Sequence, residues 1–233
     1  MNQRSPVVIV TGAAGGIGAA VWSRLDDAGW TVVATDVSDG EGVTHCDVAD
    51  PTEVDNVVTS ISGAHGGIDA LVNAAGMGRP TAFLDADDDV WQRHIDINLL
   101  GTVRMCRAAL PHILRSTHPT RGIVNFTSQA AKSGGLLIGA PYSAAKAAVL
   151  CLTMTLAAEF GPRGVRVNAV APGIIDTPFL DAVPAVRDRG GQLPLRRLGL
   201  PEDVAGVVAF LLSPDAAYLT GEIVDVNGGL LMD

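Results

Sequence analysis

The sequence has few basic residues and few cysteines, and these shortages exclude several classes of protein. Its 16 lysines and arginines are outnumbered by 25 aspartates and glutamates, which leaves a net charge of −9. A nucleic-acid-binding surface needs a basic stripe, so we expect no nucleic-acid partner. The three cysteines, Cys46, Cys106 and Cys151, form no CxxC pair and no cluster with histidine. They are typical of reduced core residues in a cytoplasmic protein and predict neither a metal site nor a disulfide.

The sequence also lacks a long hydrophobic run and a leader segment. Its most apolar stretch, residues 147–158, is shorter than the roughly 20 residues that a membrane-spanning helix needs. The first six residues, Met-Asn-Gln-Arg-Ser-Pro, lead directly into an apolar segment and leave no room for a signal peptide. We therefore expect a cytoplasmic location and no membrane partner. At 233 residues and 48% hydrophobic content, the chain is predicted to form a single α/β domain, residues 1–233.

Glycine is abundant, and a group of glycines follows an apolar segment near the N-terminus. Residues 7–10 (Val-Val-Ile-Val) have the composition of a strand that is buried on both faces of a parallel sheet. Gly12, Gly15, Gly16 and Gly18 follow, where the chain turns into a predicted helix. Such a turn exposes backbone N–H groups at the helix N-terminus and creates an anion site. This pattern predicts a binding site for a dinucleotide pyrophosphate; a structural turn without a ligand is the alternative.

Asp36 indicates which dinucleotide to expect. It ends a second predicted strand, residues 30–35, about 20 residues beyond the glycines, where an acidic residue binds a ribose 2′-hydroxyl. Its charge would repel a 2′-phosphate, and no Arg or Lys occurs between Trp30 and Asp50 to bind one. We therefore predict NAD in preference to NADP, with a simple loop carboxylate as the alternative interpretation of Asp36.

The rest of the chain alternates between predicted strands and helices. This alternation predicts a doubly wound, mainly parallel sheet of about seven strands with helices on both faces, a three-layer α/β/α arrangement. The irregular segment at about 174–200, rich in Pro, Gly and Arg, is typical of a substrate lid. The further predicted strands are 43–46, 68–72, 122–126, 165–171 and 222–226, and the further helices are 50–63, 85–112, 141–160 and 201–212.

Three side chains of complementary chemistry are predicted to meet at the carboxyl edge of the sheet. Ser128 follows the fifth strand, while Tyr142 and Lys146 are four residues apart and share one helix face. A phenol has an unperturbed pKa of ~10, and we expect Lys146 to lower it toward the working range. Ser128 would hold the substrate oxygen while Tyr142 moves the proton. Asn98, polar among apolar neighbours, would either make a structural hydrogen bond or hold a water that links Lys146 to solvent.

With these residues the sequence resembles the short-chain dehydrogenase/reductase family over nearly its whole length. The matching motifs are Thr11–Gly18 (TGxxxGxG), Asp47-Val48, Asn73-Ala74-Ala75-Gly76, Asn98, Ser128, Tyr142–Lys146 (YxxxK) and Pro172-Gly173 with Thr177. The resemblance implies a Rossmann-type fold and a homotetramer or homodimer that pairs helices 87–112 and 142–160. It implies the catalytic tetrad Asn98, Ser128, Tyr142 and Lys146. The implied cofactor-binding residues are Gly12, Gly15, Gly16, Ile17, Gly18, Asp36, Asp47, Val48, Asn73, Ala74, Ala75, Gly76, Tyr142, Lys146, Pro172, Gly173, Ile175 and Thr177.

Three departures from the family pattern stand out. Ser128 and Tyr142 are fourteen positions apart, one more than the family spacing implies, so the connecting loop carries a one-residue insertion that reshapes the substrate wall. The connection between the second and third strands is short, as in relatives that oxidise dihydrodiols. Asn227 occupies the Asp position of the family's Asp-Gly-Gly ending, and we infer nothing from it.

The leading prediction is an NAD-dependent oxidoreductase that interconverts a secondary alcohol and a ketone, with Tyr142 as acid and base. Dihydrodiols, sugar-like alcohols, hydroxysteroids and 3-hydroxyacyl compounds all remain open as small-molecule substrates. In the lid, Phe179-Leu180 and Arg196-Arg197 suggest an apolar pocket with an anion-tolerant rim, although a solvated loop or subunit contact is favoured for the arginines. The alternatives are an NADPH-dependent 3-oxoacyl reductase, which Asp36 opposes, and a dinucleotide-binding regulator without turnover, which the presence of Tyr142 and Lys146 opposes.

Overall fold

Seven parallel strands form one sheet in the residues that the computed structural model describes, 4–135 and 137–232. Runs of Val, Ile and Ala build these strands, and every residue of the first is buried, as expected of a sheet covered on both faces. The strands are β1 (Val7–Thr11), β2 (Thr31–Asp36), β3 (Val43–His45), β4 (Ala70–Asn73), β5 (Gly122–Phe126), β6 (Arg166–Pro172) and β7 (Ile223–Val226). Their order is β3-β2-β1-β4-β5-β6-β7, so the direction of winding reverses between β1 and β4. The predicted doubly wound sheet is confirmed.

Helices cover both faces of this sheet. They are α1 (Gly16–Asp27), α2 (Pro51–His65), α3 (Asp88–Ile95), α4 (Gly101–Ile113), α5 (Ala130–Ser133), α6 (Ala140–Phe160), α7 (Pro184–Arg187) and α8 (Pro201–Leu211). One apolar core joins Val21 and Leu25 of α1 to Val208 of α8 beneath the sheet. The other core joins α2, α4 and α6 on the opposite face, for example through Val54 and Met105. The three-layer arrangement is therefore confirmed.

The short connection between β2 and β3 and the start of α2 agree with the sequence prediction. No helix lies between Asp36 and Val43 in the described chain. The Asp50 carboxylate caps α2 by accepting the N–H groups of Thr52 and Glu53 at 2.7 and 3.1 Å.

The prediction of one continuous helix over residues 85–112 is wrong. The helix begins three residues later, at Asp88, and a π-helical turn, Asp96–Leu100, separates α3 from α4. A π turn uses hydrogen bonds to the fifth residue and widens the helix locally, often at functional sites. Hydrophobic periodicity does not register such a one-residue change, because the apolar residues continue through it. The short helix α5 was likewise not predicted.

The segment predicted as a lid is tied down at its base. Its ends are joined by backbone hydrogen bonds from Asp176 to Gly199 and from Gly199 to Ile174, at 2.8 and 2.9 Å. Between them lie short helical turns, including α7, and a small apolar cluster that contains Leu180 and Leu193. The segment is therefore a folded flap with its own core.

Helix α6 is longer than the apolar run 147–158 noted in the sequence. Together with its continuation to Arg163, it is long and apolar enough to cross a membrane by length and composition alone, which is weak evidence for a span. Here the helix packs against β5 and β6. Only 28% of the most apolar window is buried within the chain, so much of its apolar surface has no covering element in the described protein.

Candidate active site

A cleft of about 1170 Å³ opens at the carboxyl ends of the strands. Its lining includes Gly12 after β1, Asp36 at the end of β2, Ala74 after β4 and Thr127 after β5. The cleft thus lies where the strand order reverses, the place where open α/β sheets bind ligands.

Most of the predicted site residues line this cleft. Two do not: Asn73 and Asn98 lie behind it, both buried. Asn73 ends β4 and points into the sheet interior, where its amide donates to the Asn125 carbonyl oxygen at 2.9 Å. The structure therefore gives Asn73 a packing role beneath the site. The predicted residues that line the cleft are Gly12, Gly15, Gly16, Ile17, Gly18, Asp36, Asp47, Val48, Ala74, Ala75, Gly76, Ser128, Tyr142, Lys146, Pro172, Gly173, Ile175 and Thr177.

The glycine turn has the shape that a pyrophosphate needs. Gly12 has φ +68°, and a Cβ there would lie 2.7 Å from the Ala75 Cα, so only glycine lets the two chain segments approach. A Cβ on Gly18 would lie 1.9 Å from the Gly12 carbonyl oxygen. Gly15 precedes α1 without a side-chain cap, and the first turn of α1 carries no acidic residue. The N–H groups at this helix end are therefore open to an anion.

The Asp36 carboxylate is held rigidly at the neighbouring end of the cleft. One oxygen accepts the Ala14 N–H at 3.0 Å and the other accepts the Ser38 N–H at 2.9 Å. Each carboxylate oxygen has a second lone pair, so both can still accept from a ribose hydroxyl. Asp36 is thereby part of the glycine turn and remains an acceptor facing the cleft.

Asp47 and Val48 lie farther along the same end of the cleft. The Asp47 carboxylate accepts the Ala49 N–H at 2.8 Å. Val48 packs against Gly101, where a Cβ would lie 2.7 Å from the valine side chain. Gly101 supports the cleft from behind, and nothing in its sequence context indicated this.

Ser128, Tyr142 and Lys146 converge at the end of β5, as the spacing predicted. The Lys146 ammonium donates to the Phe126 carbonyl at 2.8 Å, and the Thr127 hydroxyl donates to the Lys146 carbonyl at 2.7 Å. These two bonds fix α6 against β5. The Ser128 hydroxyl oxygen accepts the Ala130 N–H at 3.1 Å, so its proton is available to donate to Tyr142 or to a substrate oxygen.

The expected lowering of the Tyr142 pKa is wrong. Burial raises the pKa of the phenol, and a hydrogen bond with Ser128 offsets this only in part. Lys146 does not compensate, because burial lowers its own pKa to about 8 and its ammonium is directed to a backbone carbonyl. The sequence placed Lys146 near Tyr142 correctly but could not show that both groups lose solvent.

Asn98 lies in the π-helical turn and is fully buried. Its side-chain oxygen accepts the Met77 N–H at 3.1 Å, and its amide donates to the Met77 carbonyl at 3.0 Å. A Cβ on Gly76 would lie 2.9 Å from the Asn98 side-chain oxygen and 3.3 Å from the Lys146 nitrogen. Asn98 therefore makes the structural hydrogen bonds that were one of its two predicted roles, close to Lys146.

The other half of the cleft has an apolar wall that includes the predicted Phe179 and Leu180. The Phe179 ring lies 5.8 Å from the Tyr142 ring, centroid to centroid. It also covers Gly78, where a Cβ would lie 2.1 Å from the Phe179 ring. Gly78 escaped the sequence analysis because its role depends on this distant side chain. Further apolar lining comes from Met77, Leu137, Ile138, Val183, Val186, Leu230 and Leu231.

The arginines suggested for the rim are not in the lining. Arg197 forms an ion pair with Asp203 at 2.5 Å, and Arg196 donates to the Gly191 carbonyl at 3.0 Å. The loop interpretation of this pair is therefore supported. Arg93 and Arg189 line the cleft instead, and no local pattern marks either residue.

Comparisons with known proteins agree with this architecture. The family model described as Enoyl-(Acyl carrier protein) reductase matches residues 12–231. The chain is 37% identical over 254 residues to the short-chain reductase protein NovJ of Streptomyces niveus, covering 98% of this chain and 95% of that protein. It is 36% identical over 250 residues to the 3-oxoacyl-[acyl-carrier-protein] reductase FabG of Vibrio cholerae, covering 100% of both.

Solved structures give the same picture. The ligand-free aldohexose dehydrogenase of Thermoplasma acidophilum superposes with a TM-score of 0.91 at 35% identity, covering 97% of this chain and 94% of that one. A glucose/ribitol dehydrogenase from Brucella melitensis superposes with a TM-score of 0.89 at 35% identity, covering 100% of both chains.

Proposed function

The chain belongs to the short-chain dehydrogenase/reductase family, and we propose that it is an NAD-dependent enzyme that interconverts a secondary alcohol and the corresponding ketone. The observation that carries this proposal is the meeting of Ser128, Tyr142 and Lys146 in the same cleft as an open glycine turn. The reaction converts an alcohol and NAD⁺ to a ketone, NADH and a proton.

The charges at the Asp36 end of the cleft support NAD as the cofactor. The carboxylates that line the cleft include Asp36, Asp39 and Asp47, which end or follow β2 or β3, and no Arg or Lys occurs between Trp30 and Asp50. A 2′-phosphate there would face an uncompensated negative charge, whereas ribose hydroxyls can donate to Asp36. The glycine turn and the N-terminus of α1 would hold the pyrophosphate, and Ile175 and Thr177 would hold the carboxamide.

The side chains divide the proton chemistry among them. When bound, the nicotinamide ring supplies the hydride acceptor for oxidation and the hydride donor for reduction. The Ser128 hydroxyl donates to the substrate oxygen. The Tyr142 phenolic oxygen takes the hydroxyl proton during oxidation and returns it during reduction. Lys146 holds the loop at the end of β5 and, when charged, favours the phenolate.

The raised pKa of Tyr142 gives this proposal a pH dependence. A phenol that is protonated at neutral pH is ready to donate its proton to a ketone. Alcohol oxidation needs the phenolate, so its rate rises as pH increases toward the phenol pKa. We therefore expect reduction to be favoured near neutrality and oxidation at alkaline pH.

We also propose a homotetramer or a homodimer in a cytoplasmic setting. Helix α6 leaves apolar residues uncovered, among them Met154, which is 48% exposed, and Cys151. Exposed apolar surface on a long helix is typical of a subunit interface. Sedimentation at several protein concentrations tests the assembly, and a monomer at all of them would contradict it.

The decisive test compares two tyrosine variants. The chain contains two tyrosines, and Tyr218 is fully exposed, so Tyr218→Phe is a matched control for Tyr142→Phe. NADH formation from a panel of secondary alcohols, sugars and dihydrodiols should fall by about 10²- to 10⁴-fold in Tyr142→Phe. The Tyr218→Phe variant should keep wild-type rates. Equal rates in all three proteins would remove Tyr142 from the mechanism.

A 3-oxoacyl reductase is the second candidate, because several curated relatives are named 3-oxoacyl-[acyl-carrier-protein] reductase. Its NADPH-dependent form conflicts with the carboxylates near Asp36. The ratio of kcat/KM for NADPH and NADH, measured with a 3-oxoacyl thioester, separates the two candidates. Cofactor binding without turnover of any alcohol or ketone, unchanged in Tyr142→Phe, would instead favour a regulator.

A further inference from the structure

A salt bridge ties the turn that carries Ser128 to the last strand of the sheet. The Lys132 ammonium in α5 lies 2.6 Å from a carboxylate oxygen of Asp225 in β7, a contact across 93 residues of sequence. Both side chains are only 19% exposed. Neither residue is among those described in the lining of the cleft, so the pair takes no direct part in the proton chemistry.

Helix α5 is short, and its first residues hold Ser128. The Ala130 N–H donates to the Ser128 hydroxyl oxygen at 3.1 Å, and the Ala131 N–H donates to the Ser128 carbonyl at 3.0 Å. The Lys132 N–H closes the same turn by donating to the Gln129 carbonyl at 3.1 Å. A helix of four residues is marginal on its own, so its orientation depends on tertiary contacts. The Lys132 side chain supplies one from within this turn.

On the other side of the salt bridge, Asp225 lies at the carboxyl end of the sheet. It pairs with Ala171 of β6. The next residue of β6, Pro172, accepts the Gln129 N–H through its carbonyl at 3.1 Å. A few residues beyond β7, Leu230 lines the cleft. The salt bridge therefore joins the turn after β5 to the strand that leads into the C-terminal part of the cleft wall, across the end of β6.

The Asp225 carboxylate depends on this salt bridge for compensation of its charge. Its other oxygen, Oδ1, is buried and accepts no hydrogen bond from residues 4–135 and 137–232. A buried carboxylate that loses its cation keeps the cost of desolvation without the compensating attraction. Removing the Lys132 ammonium would therefore favour a movement of Asp225 toward solvent and would release α5 from β7.

We propose that Lys132 and Asp225 are positioning residues that hold the Ser128 hydroxyl in the orientation in which it donates to the substrate oxygen. This inference rests on the proposed function, because it explains how the same site keeps its hydrogen-bond donor in place. The salt bridge acts through α5, and the side chain that contacts the substrate is that of Ser128. Exposed salt bridges contribute little, but this one is largely buried, so water screens it less.

Four variants test the inference, and each is measured for NADH affinity as well as turnover. Lys132→Met breaks the salt bridge, and Lys132→Arg keeps it. Asp225→Asn breaks it from the other side with little change of shape, and serves if the methionine variant does not fold. Arg4→Met is the matched control, since Arg4 forms a salt bridge of the same length, 2.6 Å, with the buried Asp69. Asp69 immediately precedes β4, at the opposite edge of the sheet from the cleft.

We expect Lys132→Met and Asp225→Asn to lower kcat by roughly 10-fold or more, because small displacements of a group that orients the substrate are costly. The change in KM should be smaller, and NADH affinity should stay at the wild-type value, since the glycine turn is untouched. Lys132→Arg should restore most of the rate, and Arg4→Met should keep the wild-type kcat. A loss of kcat in Arg4→Met equal to that in Lys132→Met would reduce the effect to general destabilisation and overturn the inference.

A double-variant cycle shows whether Lys132 acts through Ser128. Ser128→Ala removes the hydroxyl, so Lys132→Met should cause no further loss of kcat in that background. Independent losses that multiply in the double variant would show that Lys132 does not act through Ser128, and they would overturn the inference.

Hydrogen exchange separates this inference from the proposed function, because it needs no substrate. In Lys132→Met the backbone amides of residues 129–133 should exchange about 10-fold faster or more, while in Arg4→Met they should keep the wild-type rate. Faster exchange together with no turnover of any alcohol or ketone by the wild type would support the positioning of Ser128 and overturn the proposed reaction. Exchange at the wild-type rate in Lys132→Met would overturn the inference, whether or not the enzyme turns over a substrate.

Discussion

Replacing Lys146 with methionine should stabilise the folded chain at neutral pH while removing activity. Lys146 is 4% exposed, and its ammonium donates to the Phe126 carbonyl at 2.8 Å. Burial lowers its pKa from 10.5 to about 8. Folding therefore places a group that is charged in the unfolded chain in a site that disfavours the charge, and this difference in pKa corresponds to about 3 kcal/mol.

The lost hydrogen bond offsets part of this gain. A neutral hydrogen bond contributes about 1 kcal/mol, so we expect the Lys146→Met variant to be about 2 kcal/mol more stable than wild type below pH 8. Between pH 8 and 10.5 the unfolded chain keeps the lysine proton and the folded chain does not. The wild type therefore gains stability relative to the variant as pH rises through this window. Above pH 10.5 the lysine is neutral in both the folded and the unfolded chain, so the only remaining difference is the hydrogen bond that the variant lacks. The variant is then the less stable protein.

Urea unfolding at fixed protein concentration, followed by tryptophan fluorescence from about pH 7 to about pH 11, measures the difference. An Arg24→Met variant on the exposed surface of α1 is the control, and its difference from wild type should be small and constant with pH. A Lys146→Met variant that is less stable than wild type at neutral pH, or a difference that does not change with pH, would refute the argument.

Three further substitutions test the cleft. Gly18→Ala should destabilise the chain by about 1–3 kcal/mol and weaken NADH binding, since its Cβ would meet a backbone carbonyl; wild-type unfolding and affinity would contradict this. Gly78→Ala should lower kcat/KM by displacing the Phe179 ring, and adding Phe179→Ala should recover activity. A double variant whose activity does not recover would show that Gly78 does not act through Phe179. Asp36→Asn should raise the NADP-to-NAD ratio of kcat/KM by roughly 10-fold or more, because it removes a unit of like charge; an unchanged ratio would exclude Asp36 from cofactor selection.

The sequence determined the parts of the fold that depend on local pattern. The glycine turn, the strands around it and the cap of α2 follow from backbone conformation and from hydrogen bonds between near neighbours. The four-residue spacing of Tyr142 and Lys146 fixes them on one helix face wherever that helix lies. The order of alternating strands and helices then limited the topology to a doubly wound sheet, because parallel strands need crossover connections.

The tertiary structure decided everything that depends on distant neighbours. It placed the π-helical turn around Asn98 and turned Asn73 away from the cleft. It directed Arg93 and Arg189 into the cleft and paired Arg197 with Asp203 outside it, although all three arginines look alike in sequence. It also set the pKa values, because desolvation of Lys146 depends on elements that lie far apart in the chain. The direction of a side chain, its burial and its contacts with residues that are distant in sequence are properties of the folded protein, and no local sequence pattern predicts them.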